Sequence, residues 1–127
     1  MREDSIIVFL EDDPARAALA FQRMNPVDRE RTFWVQTVDE TIDILQDYLP
    51  RLDIVSLSHD LGGQKHVHSS RDDTGMEIVR WLEHQKPADF AHVRFIIHTW
   101  NLPAGVIMGR RLRARGYRVI RAPFGEQ

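Results

Sequence analysis

Five short apolar runs, rich in β-branched residues, recur along the chain: Ser5 to Leu10, Thr32 to Val38, Leu52 to Leu57, His92 to Thr99 and Tyr117 to Arg121. Runs of this length, bounded by polar or turn-forming residues, read as buried strands of a parallel sheet. Between them the apolar positions change to a helical period. Ala17, Ala18, Phe21 and Met24 share one face of a helix that starts at Pro14, with Asp13 as its N-cap and Asn25-Pro26 as its end. A polar link then leads to the second strand. Val38, Ile42, Leu45 and Leu49 repeat until Pro50, behind a Thr37/Glu40 pair with capping-box spacing. Thr74/Glu77 repeats that spacing ahead of Met76, Ile78, Val79 and Leu82, in a helix closed near Pro87. A fourth helix begins at Asn101-Leu102-Pro103 and is stopped by Gly116.

Five strands alternating with four helices specify a doubly wound α/β fold with right-handed crossovers. The expected architecture is one five-stranded parallel sheet of order 2-1-3-4-5, flavodoxin-like, with residues 1–127 forming a single domain. Ligands of such sheets bind beyond the carboxyl ends of the strands. That rule gathers Asp12 and Asp13, then Ser58, His59 and Asp60, then His98, Thr99 and Asn101 on one rim.

Composition narrows the classes. With 43% hydrophobic and 28% charged residues the chain has the balance of a globular protein rather than a disordered one. It has no cysteine, which excludes disulfides, thiolate metal sites and a cysteine nucleophile. No apolar run approaches the ~20 residues of a membrane span, and the start is too short for a signal peptide, so a cytoplasmic location is expected. The net charge of −2 argues against a general nucleic-acid coat, yet from Arg94 onward seven arginines face a single acidic residue, Glu126. Arginine's planar fork suits phosphate, although a solvated helix face explains the same run.

At the rim, Asp12 and Asp13 are oxygen donors suited to Mg²⁺ or Mn²⁺, with Asp60 as a third carboxylate; helix capping needs only one of the pair. His59 and His98 are candidate general acid and base, able to exchange roles on opposite sides of a phosphate. Ser58, Thr99 and Asn101 are candidate phosphate contacts. His66 and His68 have metal-pair spacing in a polar loop running from Gly62 to Asp73, and Trp100 has a face on which a base would stack.

The order of these features resembles a response-regulator receiver domain: an acidic pair after strand 1, D-x-x-x-L in strand 3, a hydroxyl after strand 4 and Pro123-Phe124 after strand 5. Receivers carry a phosphoacceptor aspartate where this chain has Ser58, and a lysine where it has Ala122. The resemblance therefore implies that aspartyl-phosphate signalling is absent. The chain is more closely similar to the cyclic-phosphate-processing receiver domains, through Ser56-Leu57-Ser58-His59-Asp60-Leu61-Gly62, Thr74-Gly75-Met76-Glu77 and His98-Thr99-Trp100-Asn101 with Gly105. This resemblance implies a phosphoesterase-like domain acting on cyclic phosphates, such as the 2′,3′-cyclic ends left by RNA cleavage, in an RNA-repair setting. The expected partners are a phosphate-bearing small molecule or an RNA end. Ser58 replaces the aspartate usual in that motif, which weakens a Mg²⁺ or Mn²⁺ site on Asp12, Asp13 and Asp60. The alternative is a pseudo-receiver without catalysis, serving as a ligand-sensing or protein-interaction module.

Overall fold

In the computed structural model, which describes residues 4–59, 74–99 and 101–122, the strands are β1 (Ile6–Leu10), β2 (Thr32–Val35), β3 (Leu52–Leu57), β4 (Arg94–Ile97) and β5 (Arg118–Arg121). All pair in parallel, in the order β2-β1-β3-β4-β5. The helices are α1 (Pro14–Arg23), α2 (Pro26–Glu30), α3 (Val38–Asp47), α4 (Gly75–Glu83) and α5 (Leu102–Ala114). The expected sheet and its order are the observed ones. Strands β2 and β4 are shorter than their apolar runs: Gln36, Thr37 and His92 are exposed, while Val38, Val93, His98 and Thr99 stay buried beyond the strand ends.

Alternation along the strands divides the side chains between two layers. Ile6, Val8 and Leu10 of β1, Val55 and Leu57 of β3, and Phe95 and Ile97 of β4 form one continuous core with Val38, Leu45, Val79, Leu82, Met108 and Leu112 of α3, α4 and α5. Ile7 and Phe9 point to the other face, where the Phe9 ring meets Phe21 of α1 edge-on at 6.5 Å. This second face carries a thinner helical layer.

The helix ends follow local chemistry. Asp13 caps α1, its Oδ1 accepting from the Ala15 and Arg16 amides at 2.9 and 3.4 Å. Thr37 caps α3, accepting from Glu40 N at 3.1 Å, while the Glu40 carboxylate turns back to the Gln36 amide. At the end of α5, Gly116 adopts φ +97°, its amide bonding to Arg113 O and that of Tyr117 to Leu112 O. That is a Schellman closure, which favours glycine at the left-handed position.

Three local expectations need correction. Asn25-Pro26 does not simply end a helix: Asn25 Oδ1 accepts from Asp28 N at 2.8 Å, and Pro26 opens the short α2. Proline at the first helical position loses no hydrogen bond, so the pair that stops α1 starts its successor. Ala18 is exposed rather than on the buried face of α1. Thr74 stands at the N-cap of α4 but makes no side-chain capping bond, and Glu77 pairs with Arg80 instead.

The amino-terminal edge of the sheet is bound by a paired charge network. Arg31 donates to Ser5 Oγ at 2.8 Å and to Asp53 Oδ2 at 3.0 Å, and also pairs with Asp28, while Arg94 reaches Asp53 Oδ1 at 3.4 Å. Among the described residues, no helix is long and apolar enough to cross a membrane.

Candidate functional site

Past the carboxyl ends of the strands, the parallel ladder continues for one more rung. The Glu11 amide donates to Val35 O, Ser58 to Leu10 O, His98 to Leu57 O and Ala122 to Ile97 O, at 2.8–3.2 Å. Glu11, Ser58 and His98 thereby stand side by side on three neighbouring strands. Glu11 belongs to the same alternating series as Ile7 and Phe9, so its side chain shares the α1 face of the sheet rather than the main core.

His98 is fully buried there. Its ring stacks on Phe9 with centroids 4.7 Å apart and planes 12° from parallel. Its Nδ1 lies 2.7 Å from Ser56 Oγ, and its Nε2 lies 3.3 Å from Glu11 Oε1, a charge pair when the ring is protonated. Both nitrogens thus face protein groups. Glu11 is itself buried: its Oε2 accepts from the Asp13 amide at 3.1 Å, and its carbonyl accepts from the Trp34 indole at 2.6 Å. Sequence reasoning placed His98 at the rim but missed Glu11 and Ser56. Glu11 was hidden beside the acidic pair, and Ser56 lay inside an apolar strand.

Three buried side-chain atoms of the described residues form no hydrogen bond: Ser58 Oγ, and the Glu11 Oε1 and His98 Nε2 atoms that face each other at 3.3 Å. All three belong to the one rung. A buried polar group left unsatisfied costs about 1–3 kcal/mol, and native proteins keep few of them. That rung lies at the edge of the sheet beyond which ligands of this topology ordinarily bind.

His59 has different neighbours. It is buried, and Asn101 Nδ2 lies 3.4 Å from its Nδ1. Asn101 Oδ1 accepts from the Ala104 amide at 3.3 Å, which turns the NH₂ group toward the ring. An amide NH₂ only donates, so Nδ1 is the acceptor and a neutral ring carries its proton on Nε2. Asn101 therefore serves both as N-cap of α5 and as the group that orients His59. Thr99 Oγ1 accepts from Asn101 N at 3.1 Å and tightens the same turn.

A close backbone approach fixes this turn of the rim. The Gly75 amide donates to His59 O at 2.8 Å, bringing the start of α4 against the end of β3. A Cβ at Gly75 would overlap the Ser58 carbonyl oxygen, and only glycine leaves room for it. Gly105 makes a looser version on α5, where a Cβ would meet Thr99 Cγ2 at 3.1 Å.

The cation expectation fares differently. Asp13 is engaged as the cap of α1 and lies 3.5 Å from the Arg16 guanidinium. Asp12 is half-buried and has interactions of its own. Among the described residues, no group of three His, Asp or Glu side chains is placed to hold an ion. The expected Mg²⁺ or Mn²⁺ site draws on Asp60 as well as Asp12 and Asp13. Asp60, His66, His68, Trp100, Pro123 and Phe124 lie outside the described residues.

Residues 6–114 match the family model of the cyclic-phosphate processing receiver domain. No match is found among the curated proteins or among the solved structures.

Proposed function

The chain belongs to the cyclic-phosphate processing receiver domain family, and from that premise we propose that it opens a cyclic phosphodiester at the rim formed by Glu11, Ser58, His59, His98, Thr99 and Asn101. The observation that carries this reading is the rung of unsatisfied buried atoms, Glu11 Oε1, Ser58 Oγ and His98 Nε2. In this reading Ser58, Thr99 and Asn101 meet the phosphate oxygens beside the amino end of α5, whose dipole favours an anion. Water attacks phosphorus, and the bond from phosphorus to one ribose oxygen breaks. His98 takes the proton of the attacking water, and the Glu11 carboxylate stabilises the imidazolium that results. His59 hydrogen-bonds to the departing oxygen through Nε2–H and serves as its acid, the proton taken by His98 restoring the His59 ring, and the product is a phosphomonoester. No step is routed through Mg²⁺ or Mn²⁺. The substrate class is a 2′,3′-cyclic nucleotide or a 2′,3′-cyclic RNA end.

A second reading is a pseudo-receiver that senses such a ligand without turning it over. The burial of Ser58, His59 and His98 favours it. A phosphorus NMR time course with 2′,3′-cyclic nucleotides and a short RNA bearing a cyclic end, with metal and with chelator, separates the two. Conversion to a monoester that disappears in His98→Ala and His59→Ala supports hydrolysis. Line broadening without conversion supports the sensor. Conversion unchanged in both variants would overturn the assigned roles.

A further inference from the structure

The α1 face of the sheet is covered unevenly. Helix α1 packs over β1 through Phe9 and Phe21, but no described helix lies over β3, β4 and β5 on this side. There Ile96 and Ile120 are register partners and Ile54 lies diagonal to Ile96 on β3, forming an apolar patch along grooves of about 220 and 380 Å³ bordered on one side by Met24 of α1. Ile120 is 59% exposed. Parallel sheets ordinarily bury both faces under helices, which makes a half-face that no described helix covers unusual. The exposed Leu19, Val27, Leu102 and Ile107, by contrast, are spread over α1, α2 and α5.

The width and charge of this strip indicate what fits it. Strands lie about 4.8 Å apart, so β3 to β5 span about 10 Å, close to the diameter of one α-helix. At one end of the strip Arg94 and Arg118 are register partners on adjacent strands, and both are exposed. Asp53 offsets part of this charge but is shared with Arg31. A second copy of the chain presenting the same face would bring two more arginines. A carboxylate-bearing partner would form charge-assisted bonds with both guanidinium groups.

We propose that this half-face is a docking seat for one amphipathic helix of another protein, with its apolar stripe on Ile54, Ile96 and Ile120 and its carboxylates against Arg94 and Arg118. The seat is independent of turnover at the rim, and its test uses no phosphate.

The probe is a pair of 16-residue amphipathic helical peptides with one apolar stripe, the first carrying glutamates at one end and the second lysines at the same positions. Amide spectra of the full chain are followed during titration, and sedimentation measures self-association. The glutamate peptide is expected to shift the amides of Ile96, Arg118 and Ile120, with the lysine peptide about tenfold weaker or more. Arg94→Glu combined with Arg118→Glu should invert that preference, and Ile120→Glu, at an exposed site, should abolish binding while leaving the fold intact. Equal binding of both peptides, shifts confined to other surfaces, or no binding at millimolar peptide would overturn the proposal. So would a dimer that Ile120→Glu dissociates, since a second copy would then occupy the seat.

Discussion

The two ends of this sheet treat charge in opposite ways. At the amino-terminal edge, Arg31, Asp28, Asp53, Ser5 and Arg94 form a partly exposed network in which hydrogen-bond partners are supplied. At the carboxyl edge, Glu11, Ser58 and His98 are buried and each keeps an atom without a hydrogen bond. Both ends are built from the same strands under the same helices, so the fold alone does not demand the difference. The amino edge pairs its charges in full; the carboxyl edge, the proposed ligand site, buries Ser58 Oγ without a hydrogen bond beside the Glu11–His98 pair.

Four substitutions sharpen or break that contrast. The largest effect is expected from Gly75→Ala, whose new methyl group overlaps the Ser58 carbonyl and forces α4 away from β3. A loss of about 3 kcal/mol or more in urea unfolding is expected, since backbone rather than a flexible side chain must move. Asp53→Asn should cost about 2 kcal/mol, because it removes the carboxylate that Arg31 and Arg94 share and leaves the mostly buried Arg31 paired with Asp28 alone. At the other edge, Glu11→Gln should cost less than about 1 kcal/mol, since it removes a buried charge that carries an unsatisfied atom. It should nevertheless lower turnover of a cyclic phosphate. If Glu11→Gln proved more destabilising than Asp53→Asn, the assignment of stability to one end and function to the other would fail.

The smallest effect is expected away from both edges. The hydrogen bond from Arg111 holds the Glu83 carboxyl below its ordinary range, opposed by partial burial. A lowered folded value means stability that is present above the ordinary carboxylate range and lost as pH falls through the folded value. The pair is partly exposed, so Glu83→Gln should cost about 0.5 kcal/mol at neutral pH and less at an acid pH, where the carboxyl is being protonated. Paired urea titrations at the two pH values check this.

Much of this was legible in the residue pattern. The apolar runs and the Asp13 and Thr37 caps are local signals, and with them the strand order followed from topology. The rim was legible too, because strand ends and connection rules place Ser58 beside His98 without any side-chain detail. The Glu11–His98–Ser56 series was harder to see. It depends on which face each residue presents, and alternation counted back from the strand ends, Phe9 to Glu11 and Ser56 to Ser58, would have exposed it. Helix α2 was missed because Asn25-Pro26 reads equally as a stop and as a cap followed by a first turn. The half-face that no described helix covers was not legible, since Ile54, Ile96 and Ile120 look like core residues until the helices are placed.

The most direct test of the central claim is an amide map of the protein titrated with a 2′,3′-cyclic nucleotide. The account predicts that the largest shifts fall on Glu11, Ser58, His59, His98, Thr99 and Asn101, and that they vanish in Ser58→Val, which fills the rung without a hydroxyl. Shifts centred elsewhere, or undiminished in Ser58→Val, would contradict it.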